Sequence, residues 1–484
     1  MDQLEKAMKY VREHELAKEE LPAFHVAPPI GWMNDPNGFS VYQDKVHLFY
    51  QYHPYSDVWG PMHWGHCVTK DFVKWENSPV ALAPDQDFDA AGCFSGSGME
   101  TAKGHLLAYT GVIEEERDGE TQVYQNQCLA MGDGLTYKKL ENNPVITGDM
   151  MPEGFSREHF RDPKIWQEED GYYLLAGNKT EDGVPQVVVF HSDDLTNWQY
   201  VSVLAKDTTG EYGTMWECPD FFNLDGQHIL IASPQDMMAD EEFHNGNNAV
   251  YFLGDYDKKE HTFQYHTVHS LDDGLDFYAP QTMVASDGRR IMIAWMQSWD
   301  SNIRPTNQSW SCMMTLPREL EMKDGRLLQH PVREIENYHT NPVKYEKQEI
   351  SGTCSLTKVE GRMVDLSVEV CSGDFEEFVI YFAQNDRFST SLTYDKRKDT
   401  LEIDRTYSGM VRDTISRRKA KIKDPKETLK LRLILDKYSV EVFVNDGEQV
   451  LSTTFYTPIE ADAISFGCNG TAWTNILKYT ISAS

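Results

Sequence analysis

The chain has 484 residues, 40% of them hydrophobic and 12% aromatic, and carries a formal net charge of −32. That length suggests two or three domains, or one large all-β domain with a smaller companion. The charge argues against nucleic acid, whose phosphates it would repel, and the sequence offers no apolar run long enough for a membrane-spanning helix.

The first stretch, "MDQLEKAMKYVREHELAKEE", lacks the apolar core of a signal peptide. It predicts an amphipathic helix within residues 1–20, capped by Asp2, with Leu4, Met8 and Val11 on one face. A cytoplasmic protein is the expectation. The eight cysteines are scattered without C-x-x-C spacing, so free and mostly buried thiols are expected. His63 and His66 form H-x-x-H without an intervening Glu, and no metal site is expected from them.

"GWMNDPNG", residues 31 to 38, sets an acid, Asp35, among turn-forming residues. Pro36 fixes its own φ, while Asn37 and Gly38 tolerate positive φ. A solvated turn is the simple explanation, but Trp32 and Met33 seldom lead into one.

A repeat explains it. "VHLFY" at Val46, "LLAYT" at Leu106, "YYLLA" at Tyr172, "HILIA" at His228 and "IMIAW" at Ile291 recur at a spacing near sixty residues. Most follow a turn, as strands of hairpins do. A second element keeps partial step: "DFVKW", "DGLTY" and "DLTNW" each set an aromatic four residues after an Asp. Five units of about four strands predict a five-bladed β-propeller over residues 21–331. Asp35, Ser95 in "FSGS", Asp162 in "FRDPK" and Glu217 in "WECPD" each precede their repeat strand by ten or eleven residues. Equal phase predicts equivalent positions, so these four side chains should converge on the propeller axis. Carboxylates gathered in one pocket are costly unless chemistry uses them.

From residue 332 the pattern changes. Residues 332–345 are polar and unpatterned, as a linker would be. Beyond them apolar residues alternate strictly, as at Val364, Leu366, Val368 and Val370, and Asn445-Asp446-Gly447 makes a hairpin turn. Residues 346–484 therefore predict a β-sandwich with a supporting role; sugar binding by it is the alternative.

"WMNDPNG", "FSGS", "FRDPK", "WECPD", "DFYAPQ", "AWM", "TLPREL" and "SVEVFVNDGE" resemble, in order, the motif blocks of glycoside hydrolase family 32, the β-fructofuranosidases. The resemblance implies an all-β architecture, a five-bladed propeller followed by a β-sandwich. It also implies a retaining hydrolase acting on the terminal fructosyl unit of sucrose and short fructo-oligosaccharides. Asp35 then corresponds to the nucleophile, Glu217 to the general acid/base and Asp162 to the stabiliser of fructosyl hydroxyls. Trp32, Asn34, Gln51, Trp59, Phe94, Ser95, Arg161, Asp236 and Trp295 correspond to substrate contacts, with Arg161 expected to keep Asp162 ionised by its charge. Asp276 and Tyr278 fit structural support as well as contact. Trp299 and Trp310 lie in a stretch, residues 297–312, where the family varies, and stay outside the site.

No metal or organic cofactor is implied. The implied partner is a small sugar, with no nucleic acid or membrane, and a homo-oligomer is compatible. No Lys or Arg cluster can be placed at the pocket rim from sequence, which favours unphosphorylated sucrose over sucrose 6-phosphate. Fructosyl transfer remains an alternative outcome of the same intermediate. A catalytically inactive sugar-binding propeller is the alternative of a different class.

Overall fold

The computed structural model describes residues 2–117, 119–301, 303–305, 308–409 and 414–483. Helix Gln3–His14 opens the chain. Asp2 accepts the Glu5 amide at 2.7 Å, and Leu4, Met8 and Val11 pack onto the core of the first blade.

Five antiparallel sheets follow, and each begins with a strand beside the axis: Gly31–Tyr42, Gly92–Thr101, Phe155–Glu168, Met215–Leu224 and Tyr278–Val284. The repeat strands at Val46, Leu106, Tyr172, His228 and Ile291 are the second strand of each blade. The circle closes where Trp310–Ser311, in the fifth repeat, pairs in parallel with Gly31 and Trp32. The "DFVKW" element is a shared turn at the foot of three blades. Asp71, Asp133 and Asp194 each accept the amide three residues on at 2.8 Å, which sets the aromatic at the outer strand.

A closed polar ring ties the axial strands together. Asn37 accepts the Gly96 amide at 3.2 Å, and Ser97 accepts that of Ile165 at 2.9 Å. Lys164 reaches Asp220 at 3.0 Å, Asp220 accepts the Thr282 amide at 2.7 Å, and Gln281 accepts that of Phe39 at 3.0 Å. Each blade is thereby bonded to the next and the fifth to the first. Just above this ring every axial strand is bulged, with register shifts at Met33/Pro36, Phe94/Gly96, Arg161/Lys164, Glu217/Asp220 and Tyr278/Gln281. A bulge re-aims side chains, and these five aim theirs at the mouth of the funnel.

The segment expected to be an unpatterned linker is structured. Arg333–Tyr338 forms a 3₁₀ turn, and a strand starts at His339, seven residues before the sandwich was expected to begin. Its polar composition suits a strand exposed on one face, which sequence polarity alone does not separate from a linker. In the sandwich, two long strands, Val364–Gln384 and Ala463–Ile481, run through the whole layer pair and turn at bulges near Cys371 and Glu377. Asn445 and Asp446 both take positive φ, +48° and +59°, at the turn joining Ser439–Val444 to Gln449–Thr454.

The two domains share buried charges. Arg318 of the propeller pairs with Asp272 and with Glu441 of the sandwich, all without solvent exposure. His25 bridges Asp436 at 2.9 Å and Glu441 at 3.0 Å. Arg405 of the sandwich pairs with Asp276, which also accepts the Thr454 amide at 2.7 Å.

Candidate active site

Counted from the polar ring, Asp35, Ser95 and Asp162 lie two residues before the ring member of their blade. Glu217 lies three before, and Cys218 takes the two-back place. The expected equivalence of all four is therefore corrected for Glu217. The one-residue offset has a consequence. Among the three-back residues of the last three blades, Arg161 and Tyr278 both bond Glu217, while Asp35, Ser95, Asp162 and Cys218 form a second group.

In the second group Ser95 donates to Asp35 Oδ2 at 2.6 Å and Asn34 donates to Oδ1 at 3.1 Å. The Cys218 amide donates to Asp162 Oδ2 at 2.9 Å, and its thiol lies 3.6 Å from both Asp35 and Asp162. Asp162 and Cys218 hold left-handed φ of +65° and +49°, strain of the kind that collects at functional sites. Burial pushes the Asp35 carboxyl up, the Glu217 charge adds to this, and the Ser95 and Asn34 hydrogen bonds oppose it. Burial likewise lifts Asp162 to about 7, against the nearby Arg161 charge.

In the first group Arg161 donates to Glu217 Oε1 from Nε at 2.9 Å. Tyr278 and Gln235 donate to Oε2 at 2.7 and 2.9 Å. The Arg161 charge opposes the rise at Asp162, as expected, but its direct hydrogen-bond partner is Glu217, because the two share the three-back height.

The remaining expected contacts divide. Trp32 donates from Nε1 to Asn34 at 2.9 Å, and Gln51 donates to the Cys93 carbonyl at 2.9 Å beneath the mouth. Trp59 and Phe94 meet edge to face at 6.2 Å on the rim. Asp236 is exposed and accepts from Thr214 at 2.9 Å, next in sequence to Gln235. Trp295 is 0% exposed, so it backs the wall rather than presenting a face to a ligand. The face belongs to Trp299, 40% exposed, near-parallel to Trp32 at 6.4 Å and edge-on to Trp295 at 4.9 Å. Trp299 sat in the variable stretch, where nothing in the sequence separated it from Trp310, which is buried beside the first blade. Tyr278 was legible only as part of a block, and Gln235 had no signal.

Three carboxylates and a guanidinium meet at the axial mouth of a five-bladed propeller, and the chain is a glycoside hydrolase. The chain belongs to glycosyl hydrolases family 32: the family's N-terminal domain matches residues 25–331 and its C-terminal domain residues 334–482. It is 37% identical over 456 residues to a sucrose-6-phosphate hydrolase of Escherichia coli, covering 93% of this chain and 92% of that one. It is 38% identical over 449 residues to a raffinose invertase of the same species, covering 92% and 91%. Among solved structures, the sucrose-6-phosphate hydrolase from Lactobacillus gasseri superposes with a TM-score of 0.85 at 29% identity, covering 100% of this chain and 96% of that one. The Bombyx mori GH32 beta-fructofuranosidase gives 0.84 at 29% identity, covering 99% and 98%, and a mutant of it has been solved in complex with sucrose.

Proposed function

We propose that this enzyme releases fructose from sucrose and related short fructosides by double displacement, with Asp35 as nucleophile and Glu217 as acid/base. The observation that carries the assignment is the division of partners between the two carboxylates. Asp35 is held by the short Ser95 hydroxyl contact and the Asn34 amide, which fix one oxygen pair beside the axis. Glu217 is held from the side by Arg161, Gln235 and Tyr278, groups suited to steadying a carboxyl through a change of proton.

An oxygen of Asp35 attacks C2 of the fructosyl unit while the C2–O bond to the leaving sugar breaks. The leaving oxygen takes the proton of Glu217. Water then gives a proton to Glu217 as its oxygen bonds to C2, and the ester to Asp35 breaks. Asp162, backed by the Cys218 amide, accepts hydrogen bonds from hydroxyls of the fructosyl ring. Ser95, Gln51 and Asn34 line the ring's polar side, and Trp32, Trp59, Phe94 and Trp299 its apolar side. The sucrose complex of the Bombyx mori relative supports this choice of substrate. A cytoplasmic location follows from the reading, since a small imported disaccharide is met there.

Glucose release from sucrose tests it. Asp35→Ala and Glu217→Ala should each lose activity by several orders of magnitude while keeping their fold. Glu217→Ala should recover on a fructoside whose leaving group needs no proton. An Asp35→Ala variant with a tenth of normal activity would falsify the assignment.

A further inference from the structure

Trp299 is carried on the loop that follows the strand Arg290–Trp295, and it is 40% exposed, so its own burial does not fix it. Contacts with the Trp32 and Trp295 rings, at 6.4 and 4.9 Å between centroids, set its tilt but leave the loop backbone to be held by other means. The next residue, Asp300, holds it. Its Oδ2 accepts the backbone N–H of Asn247 at 2.6 Å, and its Oδ1 accepts the Asn247 side-chain amide at 3.0 Å. The carboxylate presses so close to the facing backbone that a Cβ on Gly246, at φ +98°, would stand 2.5 Å from it. Two hydrogen bonds from a charged acceptor to a single residue make a strong and directional tether.

The other side of the tether leads to Glu217. Gln235, which donates to Glu217 Oε2 at 2.9 Å, ends the strand Gln227–Gln235. Just beyond it, Met237 and Gly246 exchange backbone hydrogen bonds of 2.9 Å in both directions and close the loop between them. Asn248, 1% exposed, braces this loop: its backbone N–H donates to the Pro234 carbonyl at 3.0 Å and its side-chain amide to the His244 carbonyl at 2.8 Å. The loop is thus braced independently of Asp300, and Asp300 hangs the Trp299 segment on it. A continuous line of contacts runs from Glu217 through Gln235, the Met237–Gly246 pair and Asn247 to Asp300 and the ring.

We infer that Asp300 is a positioning residue: through Asn247 it locks the exposed Trp299 ring in place relative to Glu217, and so sets how tightly the sugar is held in the mouth. This rests on the reading of the site as that of a fructosidase. Nothing in "SWDS" or "HNGN" marks the partnership in the sequence, because the two meet only when a loop of the fifth blade folds against a loop of the fourth. A ring held in place before the sugar arrives gives up less freedom on binding than one that must first be ordered. Freed from its tether, Trp299 would have to be ordered by the sugar itself, and binding weakens. Proton transfer is untouched, because Glu217 keeps Arg161, Tyr278 and Gln235.

The test is the steady-state kinetics of the intact enzyme on sucrose, followed by glucose release, at a temperature where circular dichroism shows each variant folded. Asp300→Ala should raise KM roughly 3- to 10-fold, as Trp299→Ala does, with kcat within about twofold of wild type. Asp300→Asn should stay near wild type, because its amide accepts the Asn247 N–H and donates to the Asn247 side-chain oxygen once that amide turns over. Asn247→Ala keeps the backbone donor and should fall between the two. The decisive measurement is the double variant Asp300→Ala/Trp299→Ala. Its KM should match that of Trp299→Ala alone, since a tether without a ring has nothing to place. Fructose, as a competitive inhibitor, should weaken in step with KM. An Asp300→Ala enzyme with unchanged KM, one whose kcat falls instead, or KM effects that multiply in the double variant overturn the inference and leave the fructosidase reading standing. A wild type that releases no glucose from sucrose removes that reading and the inference with it.

Discussion

Asp276 is anchored to Arg405 of the sandwich, and two residues later Tyr278 hydrogen-bonds Glu217 at 2.7 Å. The sandwich thus holds the segment that leads into the fifth axial strand, Tyr278–Val284, whose first residue bonds Glu217, the proposed acid/base. Tyr278→Phe deletes a hydrogen bond to a chargeable group, worth about 1.5–3 kcal/mol. We expect kcat/KM for sucrose to fall roughly 10- to 100-fold, with an altered pH profile in a variant that stays folded at the assay temperature. The loss should shrink on a substrate with a good leaving group. An unaltered pH profile would leave Tyr278 a packing residue only.

Arg405→Met strands the buried Asp276 carboxylate without its cation. Breaking such a pair costs about 3–5 kcal/mol, so thermal unfolding should shift down by several degrees. Because Tyr278 lies only two residues along the chain, kcat should also fall at temperatures where the protein remains folded. A destabilised variant with full kcat would show that the sandwich supports stability alone.

Trp299→Ala removes a half-exposed ring from the wall that Trp32 and Trp295 support. Aromatic contacts of this kind contribute about 0.5–1.5 kcal/mol. KM for sucrose should rise roughly 3- to 10-fold, with kcat nearly constant and little loss of stability. Trp295→Ala, by contrast, empties a buried site and should cost stability first. Equal effects of the two on KM would contradict the division between backing and face.

The repeat was legible because each blade must rebuild the same four-stranded unit, so strand starts, Asp turns and axial acids return at one period. What the period does not encode is the height of a side chain above the axis. Asp35 and Asp162 keep one height, and Glu217 slips by one residue at its bulge. That slip gives Arg161 a direct hydrogen bond to Glu217, while its charge still acts on Asp162. Contacts between distant strands were also silent: Gln235 reaches Glu217 only after the strands pair. Trp295 carried a family-like motif, but its burial against Trp32 and Trp299 shows only in the fold.

His25 gives the last prediction, in the pH dependence of stability. Burial alone would lower its pKa, but the Asp436 and Glu441 carboxylates outweigh this and raise it to about 9. A group raised above its unfolded value of about 6.5 binds its proton more tightly in the folded state. Its contribution is therefore complete below that value and is lost as pH climbs toward 9. The shift corresponds to about 3 kcal/mol. On the acid side the sign reverses. Burial pushes His47 down to about 4 and His105 to about 3, so the unfolded chain binds their protons first and stability falls as pH drops below about 6.5. The melting temperature should therefore peak near neutral pH and fall on both sides. His25→Gln should lower the peak and flatten the alkaline limb between pH 6.5 and 9 while leaving the acid limb in place. A wild-type limb already flat across that window would show that the Asp436–His25–Glu441 bridge does not hold the domains together through its charge.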